Sequence, residues 1–291
     1  MGNSSSRPII CNEHDETVSP SLRFSRQREM VVASIFTNLS TIMIFPSEHS
    51  FDRYKKSGRK IRIQSNLEND GLGVPLLECD DKFLSQTVSG ASKPRYRIYK
   101  NVLQPEAQKP PHPNCSIVCE DKTRAIYRMP FCEVYKEIRG TRTSYRYVFY
   151  TPDGLQEVLL KRHRFSQNMD TRLGEWNVGW RLRGSGDFDL KVIPANMPTL
   201  LEDKEIRKAK KASSTREDAT DAILWAKYLE NSGLSMPQMV RKRVSLHVGE
   251  TSFETDAAAY GLIGVPWFSQ VIACMGMVLC FLETEERLQS T

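Results

Sequence analysis

Aromatic and β-branched residues alternate with charged residues along the middle of the chain, from about residue 93 onwards. The clearest segments are residues 95–100, 125–129, 132–136 and 145–150. A period of two built from such residues is typical of half-buried β-strands, and it favours antiparallel pairing. The turn sequence Thr-Pro-Asp-Gly at residues 151–154 predicts a hairpin between residues 145–150 and 155–165. Residues 176–182 and 188–193 are predicted to form a second hairpin for the same reason.

The alternation stops between about residues 199 and 235. Residues 201–211 are strongly charged and helix-prone, and residues 218–229 place apolar residues, among them Ile223 and Leu229, at helical spacing. This segment is therefore predicted to be a helical insertion into an otherwise β-rich domain.

The first 87 residues mix polar stretches with basic residues and contain one apolar run, residues 30–45. That run has no clean period, so it is compatible with a pair of strands or with a helix packed on the domain. Residues 64–73 are rich in Gly and Asn, as is typical of loops. Residues 1–87 are therefore predicted to be a largely disordered arm, followed by a folded domain over residues 88–287.

The C-terminal segment has 26 consecutive uncharged residues, 257–282, which must be buried either in lipid or in protein. Pro266 suits the first turn of a helix, and residues 266–282 are apolar nearly all round. A helix of that length measures about 25 Å, which is marginal for a bilayer core of about 30 Å. Two hypotheses follow. The segment is a central helix over residues 266–283 enclosed by the sheet of the same chain, or it is a tail anchor that spans a membrane with residues 257–282.

Strand pairs with aromatic alternation, an interrupting helix and the wholly apolar terminal helix at residues 265–283 together resemble the tubby C-terminal-like group. This group includes phospholipid scramblases and the plant LURP-one proteins, and the resemblance covers residues 88–287. It implies a β-rich (α+β) fold in which a closed antiparallel β-barrel of about twelve strands surrounds a central hydrophobic C-terminal helix. Closing a barrel removes every exposed strand edge, and one apolar helix fills the interior. The helical insertion and the long arm depart from the pattern of the group.

Composition indicates in which cellular compartment the protein works and which kinds of partner its charge favours. The seven cysteines lack the regular spacing of a disulfide framework and the N-terminus lacks the features of a secretory signal, so reduced thiols in the cytosol are expected. The net charge of +6 favours anionic partners, either lipid or nucleic acid. Because aromatic and basic residues do not interleave as they do in an RNA-recognition motif, no nucleic-acid partner is expected.

The N-terminus matches the acceptor pattern for N-myristoylation, in which Gly2 follows the initiator methionine and Ser6 stands at the sixth position. Glycine is required because the transferase needs an unhindered α-amine. A single myristoyl chain binds a bilayer only marginally, so a stable location requires a second signal. Cys11 is either a site of reversible palmitoylation or an ordinary free thiol.

Two sets of basic residues are candidates for contact with lipid head groups. The first set comprises Arg53, Lys55, Lys56, Arg59, Lys60 and Arg62, and the second comprises Lys161, Arg162, Arg164, Arg181 and Arg183. The first set forms a run without acidic residues, which is alternatively a solvated loop or a targeting patch. The second set lies on predicted strands, where it is alternatively solubilising charge on a barrel exterior. The tubby-like resemblance implies that phosphoinositides are reasonable ligands.

No group of residues indicates catalysis. The five histidines are isolated, and no glycine loop of the phosphate-binding type is present. His112 lies near Cys115 and Cys119, but a C-x3-C pair without a second pair of ligands is a weak indication of zinc. The sequence therefore predicts a protein that is not an enzyme and has neither a metal nor a cofactor.

The predicted function is that of a non-catalytic, membrane-associated lipid-binding or adaptor protein at the cytoplasmic face of the plasma membrane. N-myristoylation and anionic membrane lipids would hold it there. The alternatives are a membrane protein anchored by its C-terminal helix and a scramblase-like lipid mover.

Overall fold

Antiparallel strands make up most of the chain in the computed structural model, which describes residues 24–35, 38–58, 61, 64–80, 93–105, 108–163, 166–184, 186–213, 222–231, 240–251 and 261–290. The strands in these residues are β1 (Arg26–Ile35), β2 (Asn38–Phe45), β3 (Leu77–Asp80), β4 (Tyr96–Pro105), β5 (Ser116–Glu120), β6 (Arg124–Arg139), β7 (Arg142–Thr151), β8 (Gly154–His163), β9 (Met169–Leu173), β10 (Trp176–Leu182), β11 (Phe188–Val192), β12 (Leu224–Glu230) and β13 (Val240–Glu250). The helices are α1 (Glu48–Lys56), α2 (Ser65–Glu68), α3 (Lys204–Ser213) and α4 (Trp267–Ser290).

The strands close into a barrel. Their order within the described chain is β4-β3-β2-β1-β13-β12-β11-β10-β9-β8-β7-β6, and a further pairing of β4 with β6 closes the ring of 12 strands. The thirteenth strand, β5, is attached to the first part of β6 and lies outside the ring. Both predicted hairpins are confirmed as β7–β8 and β10–β11. The predicted closed antiparallel β-barrel of about twelve strands around a C-terminal helix is likewise confirmed.

Helix α4 fills the barrel interior. Residues 269–282 are buried without interruption, and the Tyr96 ring of β4 stacks on the Phe281 ring at 4.7 Å between centroids. Pro266 lies directly before the helix, and its carbonyl accepts a hydrogen bond from the Gln270 N–H (3.1 Å). Gly276 lets the helix approach the wall, because a Cβ there would lie 3.3 Å from the Leu246 side chain of β13. Trp267–Glu286 is long and apolar enough to cross a membrane, yet 78% of its most apolar window is buried in the protein.

A buried carboxylate joins the barrel wall to the start of α4. The end of the barrel at which α4 begins is called the front rim. The β9–β10 turn at Gly174 and the β7–β8 turn also lie at this end. Glu250 accepts hydrogen bonds from Arg28 Nε (2.7 Å) and from Ser269 Oγ (2.8 Å) and forms an ion pair with Arg26 (2.7 Å). The first turn of α4 is therefore held to β1 and β13 by charge as well as by packing.

The opposite end, the rear rim, holds the acidic end of α4. Glu285 accepts hydrogen bonds from Arg95 (2.8 Å) and Tyr96 (3.2 Å), and Glu286 pairs with Arg162. Burial by itself would raise the pKa of the Glu285 carboxyl, but the hydrogen bond from Arg95 and the charge of Lys136 outweigh it and hold that pKa below its ordinary value. Glu285 is therefore ionised at neutral pH and neutralises cations of the rear rim.

Strands β1, β2 and β3 of the barrel lie within residues 26–80, so the predicted disordered arm over residues 1–87 is wrong for the described part of that range. The apolar run is the strand pair β1–β2, the first of the two alternatives. Met30 and Val32 of β1 belong to the core cluster of the barrel, whereas Val31 and Ala33 join a second cluster beneath α1. Because both faces of β1 are covered, its sequence lacks the period of two that marks a half-exposed strand.

The second half of the predicted helical insertion is also wrong. Only Lys204–Ser213 is helical in the described part of residues 199–235, and Leu224–Glu230 is strand β12, which pairs with β11 and β13. Four consecutive residues of this strand, 225–228, are buried. A short apolar run covered on both faces cannot be distinguished from a buried helix by periodicity alone.

Candidate anion-binding groove

Helix α3 carries four cations on one face. Its residues are mostly good helix formers, and the Asp203 carbonyl accepts the Arg207 N–H (3.0 Å) at its start. The four cations are Lys204, Arg207, Lys208 and Lys211. Their spacing of three, four and seven residues places them side by side on a helix. None of the four has an ion-pair partner in the part of the chain that the structure describes.

A groove of about 410 Å³ lies between this face and the barrel exterior. Besides the four cations, it is lined by His163 at the end of β8, Asp170 of β9, and Pro198, Thr199 and Leu200 of the loop before α3. We call this site the α3 groove. Lys204 and Lys211 are two turns apart, roughly 10 Å along the helix axis, so the groove suits an extended or multiply charged anion.

Hydrogen bonds and ion pairs fix the walls of the α3 groove. Asp170 Oδ2 accepts the Leu200 N–H (2.7 Å), and the Asp170 carboxylate pairs with Arg181 (2.6 Å). Lys210, on the side of α3 that faces the loop, pairs with Glu202 and donates to the Ala195 carbonyl (2.6 Å). These contacts hold the loop and the helix on the barrel, so the unpaired cations are presented by a fixed support.

Thr199 adds a neutral donor to the groove. It is 1% exposed, and its hydroxyl oxygen has no hydrogen-bond partner among the described residues. Nearly all buried polar groups in folded proteins have a partner, so the Thr199 hydroxyl is a donor that the described residues leave unused. Cations together with a hydroxyl are suited to phosphate or carboxylate oxygens. No group of metal-ligating side chains occurs in the described ranges.

Sequence comparison assigns the family. The sequence model of the DIA1 family matches residues 25–288. The chain belongs to the DIA1 family. It is 27% identical over 277 residues to the uncharacterized protein YOR385W of Saccharomyces cerevisiae, which covers 93% of this chain and 91% of the relative. It is 23% identical to Protein DIA1 of the same yeast, over 94% of this chain and 83% of the relative, and 26% identical to the uncharacterized protein YNL165W, over 92% and 72%. No solved structure matches the chain significantly.

The DIA1 family match runs from the residue before β1 to nearly the end of α4. The family unit therefore coincides with the whole barrel and its central helix. The comparisons show no membership of the tubby-like group, and the structure shares with that group the closed barrel around a C-terminal helix.

In this DIA1-family barrel, the second predicted set of head-group residues is divided between different surroundings. Arg162 points into the rear rim and pairs with Glu286. Arg181 pairs with Asp170, and Arg183 lies 3.9 Å from the Asp189 carboxylate. Lys161 lies on β8 opposite Asp170 of β9, and Arg164 is outside the described residues. Three arginines of this set are thus neutralised by carboxylates, and Lys161 is the one described member of the set without an ion pair among the described residues.

The first predicted set lies on another side of the barrel. Arg53, Lys55 and Lys56 form the last turn of α1, where Lys55 pairs with Asp52 (2.7 Å) and Arg53 donates to Ser65 Oγ (3.3 Å). Helix α1 packs over β1 and β2, whereas the α3 groove lies at β8 and β9, and four strands of the ring separate them. The predicted residues Gly2, Cys11, Arg59, Lys60 and Arg62 lie outside the described residues.

The cations of α3 are not among the residues that the sequence predicts to bind an anion. Their segment is predicted only to be a charged, helix-prone insertion, although the spacing of its cations at residues 204, 207, 208 and 211 indicates one helix face. Periodicity of charge, applied to that segment, was the signal that could have identified the group.

Proposed function

We propose that this DIA1-family protein is a non-catalytic peripheral membrane protein that binds anionic lipid head groups in the α3 groove. The observation that carries the proposal is the set of four cations on one helix face without an ion pair among the described residues, beside an unpaired buried hydroxyl. Cations that lack acidic partners in the protein gain the most from an anionic partner outside it. Phosphoinositides, which the tubby-like resemblance implies, are the head groups we propose first.

A tether and a charged surface supply the two signals that stable membrane binding requires. N-myristoylation of Gly2 would provide the first, and the α3 groove would provide the second. Lys161 of β8, Arg172 of β9 and Lys191 of β11 also lack an ion-pair partner in the described part of the chain and extend the positive face across the segment β8 to β11 of the ring. We therefore propose the cytoplasmic face of the plasma membrane as the location, with an adaptor role compatible with the same surface.

Removal of two groove cations is expected to weaken binding to anionic vesicles. In the double variant Lys204→Ala/Lys208→Ala, each lost cation should cost about 1 kcal/mol, so partition into phosphatidylserine-containing vesicles should fall by roughly 30-fold. The salt dependence of binding should also become shallower, because fewer charges contribute. Vesicle sedimentation with the purified full chain at several salt concentrations measures both effects.

The matched control is Lys55→Ala/Lys56→Ala, which removes the same charge from α1 on another side of the ring. Partition of this variant is expected to stay within about threefold of the wild type, since Lys55 already has an acidic partner. If both double variants lost vesicle binding equally, the loss would be explained by the change in net charge alone. The α3 groove would then not be the binding site.

The tether has its own test. Metabolic labelling with an alkyne fatty acid is expected to mark the wild-type protein and to leave Gly2→Ala unlabelled, because only an N-terminal glycine accepts myristate. The membrane fraction of Gly2→Ala should fall with the label. Equal labelling of the two proteins would exclude Gly2 as the attachment site.

A further inference from the structure

Large hydrophobic side chains are exposed at the front rim. Leu155 follows the β7–β8 turn and is 68% exposed, Ile263 precedes α4 and is 45% exposed, and Phe268 in the first turn of α4 is 36% exposed. Single exposed hydrophobic residues are ordinary, but three at one end of a barrel call for a physical reason.

The N-terminal segment leaves the barrel at the same rim. Phe24, the first described residue, packs on Trp225 with ring centroids 5.7 Å apart, and Trp225 packs edge-on against Phe268 at 5.6 Å. The Phe268 ring lies so close to the β9–β10 turn that a Cβ at Gly174 would be 3.2 Å from its Cζ. Phe24 and Trp225 are buried, so Phe268 is the outermost ring of this row.

Attachment at Phe24 favours the front rim as the surface that meets a bilayer. A fatty acid on Gly2 is joined covalently to the chain that enters the barrel at Phe24. A tether raises the effective concentration of the bilayer most strongly for surfaces close to the point of attachment. The effective concentration of the bilayer is therefore highest for the exposed side chains of the front rim.

Two cations without an ion pair among the described residues lie near these hydrophobic residues. They are Arg172 and Lys191, and the same rim carries the acidic residues Glu175 in the β9–β10 turn and Asp153 in the β7–β8 turn. The loop before α3 starts near this rim, because Ile193 donates its N–H to the Asn177 carbonyl of β10 (2.7 Å), and Lys210 of α3 donates to the Ala195 carbonyl. The α3 groove itself lies farther along the barrel, at His163 and Asp170.

We propose that the front rim is the membrane-docking surface of this protein. Leu155 and Phe268 enter the interfacial region of an anionic bilayer, Arg172 and Lys191 contact the head groups, and the rear rim faces away from the membrane. Aromatic and aliphatic side chains beside cations are the composition that binds such an interface. The inference rests on the proposed peripheral membrane function and adds its orientation.

Tryptophan reporters at the two ends of the barrel test the orientation. Leu155→Trp and Phe268→Trp report on the front rim, and Ile138→Trp, at a residue that is 66% exposed on the rear-rim end of β6, is the matched control for Leu155. The full myristoylated chain is bound to phosphatidylcholine–phosphatidylserine vesicles with brominated acyl chains, and the quenching of tryptophan fluorescence by bromine is measured. The wild type gives the baseline quenching of the four native tryptophans. Additional quenching is expected for both front-rim variants and not for Ile138→Trp.

The outcomes separate the orientation from the function. If the wild type does not sediment with anionic vesicles, the proposed function and the proposed orientation are both wrong. If it sediments but Ile138→Trp is quenched as strongly as Leu155→Trp and Phe268→Trp, or more strongly, the front rim is not the docking surface although membrane binding stands. As a second measurement, Leu155→Ser should weaken partition about fivefold and Ile138→Ser should not.

Discussion

Glu250→Ala is expected to destabilise the barrel by about 3–5 kcal/mol, because it removes one partner of a buried charge cluster. The Arg28 and Glu250 side chains are 3% and 1% exposed, and Glu250 also holds Arg26 and the Ser269 hydroxyl of α4. Without the carboxylate, Arg28 stays buried without its acidic partner and the start of α4 loses its link to the wall. Urea unfolding of the purified protein, followed by circular dichroism, measures the change in the free energy of unfolding.

An exposed ion pair provides the control for this loss. Arg146 and Glu157 pair at 2.8 Å across β7 and β8, but both side chains are exposed. Glu157→Ala is expected to change the free energy of unfolding by less than about 1 kcal/mol, since solvent screens such pairs. If Glu250→Ala cost no more than Glu157→Ala, the cluster at the front rim would not hold α4 to the barrel.

The sequence predicts the parts of the barrel in which one strand face meets solvent. β7 and β8 alternate and are joined by a turn with its expected residues, so their pairing follows from the sequence. β1 and β12 do not alternate, because α1 covers the outer face of β1 and four consecutive residues of β12 are buried. Their burial depends on elements that lie far away in the sequence, and no local pattern contains that information.

The candidate site is harder to predict than the fold for an electrostatic reason. Arg162, Arg181 and Arg183 are basic in the sequence, but the barrel sets each beside a carboxylate from another element. The cations of α3 are distinguished only by the absence of such partners in the described chain. Charge type is a property of the sequence, whereas pairing is a property of the fold, so the same composition gives a neutralised wall at one place and an anion-binding groove at another.

Removal of residues 267–291 is expected to abolish folding. The deletion takes away α4, whose buried run from 269 to 282 occupies the barrel interior. Burial of about ten large apolar side chains contributes on the order of 20 kcal/mol, more than the roughly 5–15 kcal/mol by which folded domains are stable. The truncated chain should therefore be insoluble, and any soluble fraction should lack a cooperative thermal transition.

The same deletion distinguishes the two hypotheses for the apolar segment. A tail anchor that projects from a folded domain could be removed without harm, and the remaining chain would be more soluble and would keep its β-sheet circular dichroism spectrum. The matched control removes only residues 287–291 beyond the acidic contacts of the rear rim, and it should fold normally because Glu283, Glu285 and Glu286 keep their partners. A soluble, β-rich and cooperative product from the long deletion would show that the helix is dispensable, and the central-helix account of stability would then be wrong.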